Sequence, residues 1–150
     1  MDLAMRALGR RMMSASELRE HLLKKEISSN EINGILAKMR EYGYLNDETF
    51  AENFVRARIS RGGRRKLTWE LRRKGVDSVV IDAALDTIDP EAEIEAAAAY
   101  ALRALRGGSD WNARNRAYGA LQRRGYTGDV IRAAMTRALD EVKNVVDMPD

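Results

Sequence analysis

Few residues in this chain are equipped for covalent chemistry. His21 is the only histidine and there is no cysteine, so thiolate nucleophiles, disulfides and thiolate metal sites are excluded. His21 lies beside Leu18 and Leu22 on an expected helix and reads as a surface or boundary residue. Asp82, Asp86, Asp89, Glu91, Glu93 and Glu95 gather acids, but they straddle a helix end without the oxygen spacing of a calcium loop, and they read as a solvated face or helix cap. Gly62-Gly63-Arg64-Arg65-Lys66 lacks the spacing of a phosphate loop and has no strand before it. No catalytic residue, cofactor site or metal site is expected.

Charge offers a different chemistry. Residues 56 to 74 carry nine Lys/Arg against the single acid Glu70, whereas residues 82 to 95 carry six acids and no base. Arg56, Arg58, Arg61, Arg64, Arg65, Lys66, Arg72, Arg73 and Lys74 are expected around one helix-turn-helix, a surface that attracts nucleic-acid phosphates or an acidic protein groove. Further along, Arg114, Arg116, Arg123 and Arg124 echo them, with Arg72-Arg73 and Arg123-Arg124 expected at equivalent repeat positions. The charge is therefore expected to recur along one side of the molecule. Trp69 is expected to pack in the core or between repeats rather than to stack on bases. Sequence-specific reading by the second helix of the pair is disfavoured, because Asp82 and Asp86 would repel phosphates.

The elements that must carry this charge repeat. Leu71, Gly75, Val76, Ile81, Ala84 and Leu85 match Leu121, Gly125, Tyr126, Ile131, Ala134 and Met135 at a shift of 50 residues. A backward shift of 49 sets Leu22, Ile27, Ile32, Ile35 and Leu36 against the same pattern, with Glu26 in the glycine's place. Such a period marks a repeat architecture. A composition of 45% hydrophobic with only 6% aromatic residues suits Leu/Ala/Met-packed helices. The fold class expected is all-α, three tandem three-helix repeats in an elongated array, over 1–43, 44–89 and 90–150.

Within the first repeat, Leu3, Ala7 and Leu8 are expected to point inward. Ser14-x-x-Glu17 and Ser28-x-x-Glu31 read as capping boxes, and Gly43 as a helix stop. A helix from Glu48 to about Ser60 is expected to bury Phe50, Phe54 and Ala57. Asp77 or Ser78 should cap the next helix, whose stripe is Val80, Ile81, Ala84, Leu85 and Ile88. Pro90 opens a helix whose first-turn acids Glu91, Glu93 and Glu95 complement its dipole. The Ala-rich run packs closely, Ser109 or Asp110 caps a helix from Trp111, and a last helix runs to about Val142 before a frayed tail. No apolar run approaches the ~20 residues of a membrane span, so a soluble protein is expected.

Ser14-x-x-Glu17-Leu18, then Gly43-Tyr44-Leu45-Asn46-Asp47-x-x-Phe50-Ala51, then Leu67-x-x-Glu70-Leu71-x-x-Lys74-Gly75-Val76 resemble the RecX regulatory proteins of bacteria across nearly the whole chain. Glu26 departs from the family's glycine and Leu67 from its common isoleucine. The resemblance implies a curved array, a cytoplasmic non-enzyme of DNA repair, recombination and the SOS response. It implies binding in the groove of the RecA filament, inhibiting its ATPase, recombinase and strand-exchange activities. The partners expected are the RecA filament and single-stranded DNA, met directly or through the filament, by a monomer. The alternative is a general helical nucleic-acid-binding protein that competes for single-stranded DNA. The site residues rest on the charge pattern and not on the resemblance.

Overall fold

The computed structural model describes residues 1–146, and its regular elements among them are helices alone: α1 (Asp2–Arg10), α2 (Ala15–Lys24), α3 (Ser29–Glu41), α4 (Asp47–Arg58), α5 (Arg64–Arg73), α6 (Ser78–Leu85), α7 (Pro90–Ala104), α8 (Trp111–Arg123) and α9 (Gly128–Val146). The expected tail from Asp147 to Asp150 lies outside the described residues. The chain forms two compact units, one of residues 1–55 and 69–87, the other of 56–68 and 88–150.

In the first unit, Ala4, Ala7, Leu18, Leu22, Ile32, Leu36, Met39 and Leu45 make one core. Their i, i+3, i+4 spacing gives each helix one apolar stripe. On α1 it is Ala4 with Ala7 that goes inward, while Leu3 is exposed, contrary to the sequence reading; the small pair permits close approach. On α4 the buried set is Phe50, Ala51, Phe54 and Val55, and Ala57 is exposed rather than buried. Phe50 and Phe54 keep their expected side, and the stripe widens to Ala51 and Val55 instead of reaching Ala57.

The capping chemistry explains the helix starts. Ser14 accepts from the Glu17 N–H while Glu17 returns to the Ser14 N–H, a reciprocal box. Ser28 accepts from Glu31 N–H, but the side chain of Glu31 makes no return bond, so the second expected box is half formed. Asp77 occupies the N-cap of α6 without a side-chain cap bond. Asp89 and Asp110 cap α7 and α8.

Helices end on left-handed residues at Glu26 (φ 63°), Gly75 (φ 77°) and Gly125 (φ 87°), the three equivalent turn positions of the repeat. Glu26 therefore takes the glycine conformation against its side chain's preference, at about 1–2 kcal/mol.

Two of these turns receive a helix start. In the first unit the Ser14 hydroxyl, fully buried, donates to Lys74 O at 2.5 Å and the Ser16 hydroxyl donates to Gly75 O at 3.3 Å. Ser14 thus accepts as a cap and donates as a dock, which an aspartate could not do. In the second unit Gly63 N–H donates to Arg124 O at 2.8 Å and Arg65 N–H to Gly125 O at 3.0 Å. Ser14 and Ser16 are 49 residues before Gly63 and Arg65, and Lys74 and Gly75 are 50 before Arg124 and Gly125. The two contacts are one joint, written twice.

An acid completes each joint. Asp47 accepts from the Ala15 N–H at 2.8 Å. The Glu93 carboxylate, 1% exposed, accepts from Arg64 Nε at 2.9 Å, and Ala15 and Arg64 are again equivalent. Glu93 keeps its expected place in the first turn of α7 but is a buried ion-pair partner, so its reading as part of a solvated face is corrected. The core of the second unit is Ala97, Ala98, Ala101, Leu105, Ala113, Ala117, Leu121, Tyr126, Ile131, Ala134 and Ala138. α9 runs past the expected end at Val142 to Val146.

Candidate partner-binding face

The expected basic residues separate into two groups by exposure, three half-buried and ten exposed. Arg64, half-buried, pairs with Glu93. The ammonium of Lys74 pairs with Glu17 at 3.3 Å and stands 5.8 Å from the Phe54 ring centre. Arg124 stacks on Tyr100, its guanidinium carbon 3.7 Å from the ring centre. These three hold the joints. Arg56, Arg58, Arg61, Arg65, Lys66, Arg72, Arg73, Arg114, Arg116 and Arg123 are exposed. Of these, Arg114 also donates to Ser109 O at 2.8 Å. The repeat register aligns Arg73 with Arg123 and Lys74 with Arg124, one place from an Arg72–Arg123 pairing. In the first of these pairs both bases are exposed, and in the second both are half-buried and tied to their joints.

On α5 the inward residues are Leu67 and Leu71, with Glu70 half-buried. Arg65, Lys66, Trp69, Arg72 and Arg73 occupy the other side of the helix. Trp69 is 58% exposed, so its expected core or interface packing is corrected. The Arg73 guanidinium lies 4.8 Å from its ring centre. On α8 there is no acid, and Trp111 and Tyr118 are exposed among Arg114 and Arg116. Each unit thus offers an aromatic and cationic helix face, judged by itself.

Two titrations report on the joints. Burial pushes the Glu17 carboxyl up, but the Ser14 N–H, the Arg11 guanidinium and the Lys74 ammonium outweigh it, and the group sits below its ordinary value. Burial, with the Tyr100 and Glu93 charges, pushes the Tyr126 phenol up to about 12 against the pull of Arg124. Its hydroxyl has no hydrogen-bond partner among the described residues. Among the described residues no three His, Cys, Asp or Glu side chains gather as a metal would require, and no helix is long and apolar enough to cross a membrane.

Fold and face together define a class: tandem three-helix domains with exposed cations on their helices. Models for the first, second and third three-helix domains of RecX match residues 1–39, 46–85 and 91–135. The regulatory protein RecX of Streptomyces coelicolor is 37% identical over 130 residues, covering 83% of this chain and 69% of that protein. That of Halorhodospira halophila is 37% identical over 143 residues, covering 91% and 86%. The crystal structure of RecX from Lactobacillus salivarius shares the fold, with a TM-score of 0.86 at 21% identity over 91% of this chain and 92% of that one. The chain belongs to the RecX family of regulatory proteins.

Proposed function

We propose that this protein binds the RecA–DNA filament in its groove and restrains the ATPase, recombinase and strand-exchange activities of RecA without catalysing a reaction itself. The observation that carries the reading is the match to all three RecX domains in order along the chain. The exposed cations on α5 and α8 add a physical rationale, since a repeating partner can be met by equivalent helices and several weak contacts raise avidity. Arg72 and Arg73 are the contacts proposed on α5, and Arg116 and Arg123 on α8. Arg64, Lys74 and Arg124 support the surface from beneath.

The test is the single-stranded-DNA-dependent ATPase of RecA, titrated with this protein at near-physiological salt, beside its binding to the same DNA alone. Inhibition well below one protein per RecA, with weak binding to bare DNA, supports recognition of the filament. Inhibition appearing only once the DNA is saturated by this protein replaces the proposal with competition for DNA. No inhibition at any ratio removes it.

A further inference from the structure

Trp69 carries a surface that the fold does not use. It stands two residues from both Leu67 and Leu71, on the side of α5 turned away from the core, and 58% of it is exposed. Indoles normally cover most of their large apolar area by packing. This one stays more than half exposed, with the Arg73 guanidinium beside it, 4.8 Å from the ring centre. A guanidinium stacked on a ring engages one face of the indole and keeps its own in-plane N–H donors available for an anion. Arg72, the next residue along, is exposed as well, and the one acid of the helix, Glu70, is half-buried.

An occupant of this patch must supply negative charge and a flat apolar face at once. Duplex nucleic acid offers phosphates, but its bases are stacked inside. An acidic protein segment offers charge, and a ring only where an aromatic residue happens to stand beside its acids. A single strand brings phosphates and unpaired bases together, and bases stack on aromatic side chains with little regard to sequence. We propose that Trp69 is a stacking platform for an unpaired base of a single-stranded nucleic acid, with Arg72 and Arg73 taking the adjoining phosphates. The inference goes beyond the filament reading and stands without it, because every group involved lies on this chain.

The test needs no recombinase. With Trp111→Phe, Trp69 is the sole indole, since the chain has two tryptophans. This protein and its Trp69→Ala counterpart are titrated with a short oligothymidylate and with an abasic strand of equal length at one salt concentration, with helicity followed by circular dichroism. Stacking predicts that oligothymidylate, and not the abasic strand, quenches Trp69 emission. It also predicts that Trp69→Ala weakens oligothymidylate binding by about 5- to 150-fold, while affinity for the abasic strand is unchanged. Absence of quenching, or equal affinity of the parent for the two strands, overturns the proposal in favour of a purely electrostatic face that an acidic protein could occupy. An equal loss for both strands assigns Trp69 to local packing and overturns it too.

Discussion

Replacing Gly125 by alanine tests the joint of the second unit most directly. Gly125 has φ 87°, where an L-residue costs about 1–2 kcal/mol. A Cβ there would lie 2.5 Å from Lys66 N, 2.6 Å from Lys66 Cβ and 3.0 Å from Lys66 Cα. Backbone cannot swing aside as a side-chain tip can, so overpacking adds about 1–3 kcal/mol. The shift needed to relieve it also strains the bonds from Gly63 N–H to Arg124 O and from Arg65 N–H to Gly125 O, each worth about 1 kcal/mol. The total is about 2–5 kcal/mol, and about 4–7 kcal/mol if both bonds break. Gly43 supplies the control: its φ is 79°, yet an added Cβ meets nothing within 4 Å. Gly43→Ala should therefore cost only the conformational ~1–2 kcal/mol. Urea unfolding of the two variants, with the slope checked for constancy, measures both. If Gly125→Ala costs no more than Gly43→Ala, the close approach is not what secures the joint and the reasoning fails.

Three further substitutions follow from the same geometry. Glu26→Gly should raise the urea-derived stability by about 1 kcal/mol, because glycine takes the left-handed turn without the Cβ penalty; a loss would show that the Glu26 side chain holds the turn in some other way. Arg64→Ala strands the buried Glu93 and should cost about 2–4 kcal/mol in thermal or urea unfolding, discounted from a fully buried pair because Arg64 remains 30% exposed. An unchanged melt would make Arg64 a surface cation after all. Tyr126→Phe removes a buried hydroxyl that lacks a partner and should leave stability at pH 7 unchanged or raised by up to about 1 kcal/mol. The folded-state pKa of Tyr126 is raised, so its contribution is complete below the unfolded value near ~10 and is lost as pH rises towards 12. The parent should lose about 2–3 kcal/mol across that window that the phenylalanine variant keeps; parallel pH profiles would contradict the assignment.

Helix order, helix starts and most core positions were legible because they depend on neighbours three and four residues away. Ser14, Gly75, Ile81 and Leu121 all sit where their spacing predicts. The differences at Glu93 and Trp69 lie where one local signal outweighs another. Glu93 is expected on a solvated face from its place among acids, although it lies four residues before Ala97 and eight before Ala101, on the stripe that α7 buries. That spacing was a usable signal. Trp69 is expected inward, yet Leu67 and Leu71 on either side of it are buried and turn it outward. Arg64, Lys74 and Arg124 stand three residues from buried Leu67, Leu71 and Leu121, so the same spacing sets them at the edge of the apolar stripe, apart from exposed Arg65, Arg73 and Arg123. Which acid or ring each one meets is decided by segments brought from elsewhere in the fold.

The joints also bear on the order of events during synthesis. Ser14 and Lys74 are 60 residues apart, so the contact that buries the start of α2 awaits a turn made far later. A nascent chain emerging from the ribosome can wind α1, α2 and α3 and close their shared core on local contacts, which form quickly. The Ser14 hydroxyl then has no carbonyl to receive it until Lys74 has been translated, and Gly63 waits in the same way for Arg124. Folding is thereby made vectorial: each segment is first shaped by its own helices, and is locked only when the equivalent turn of the following stretch arrives.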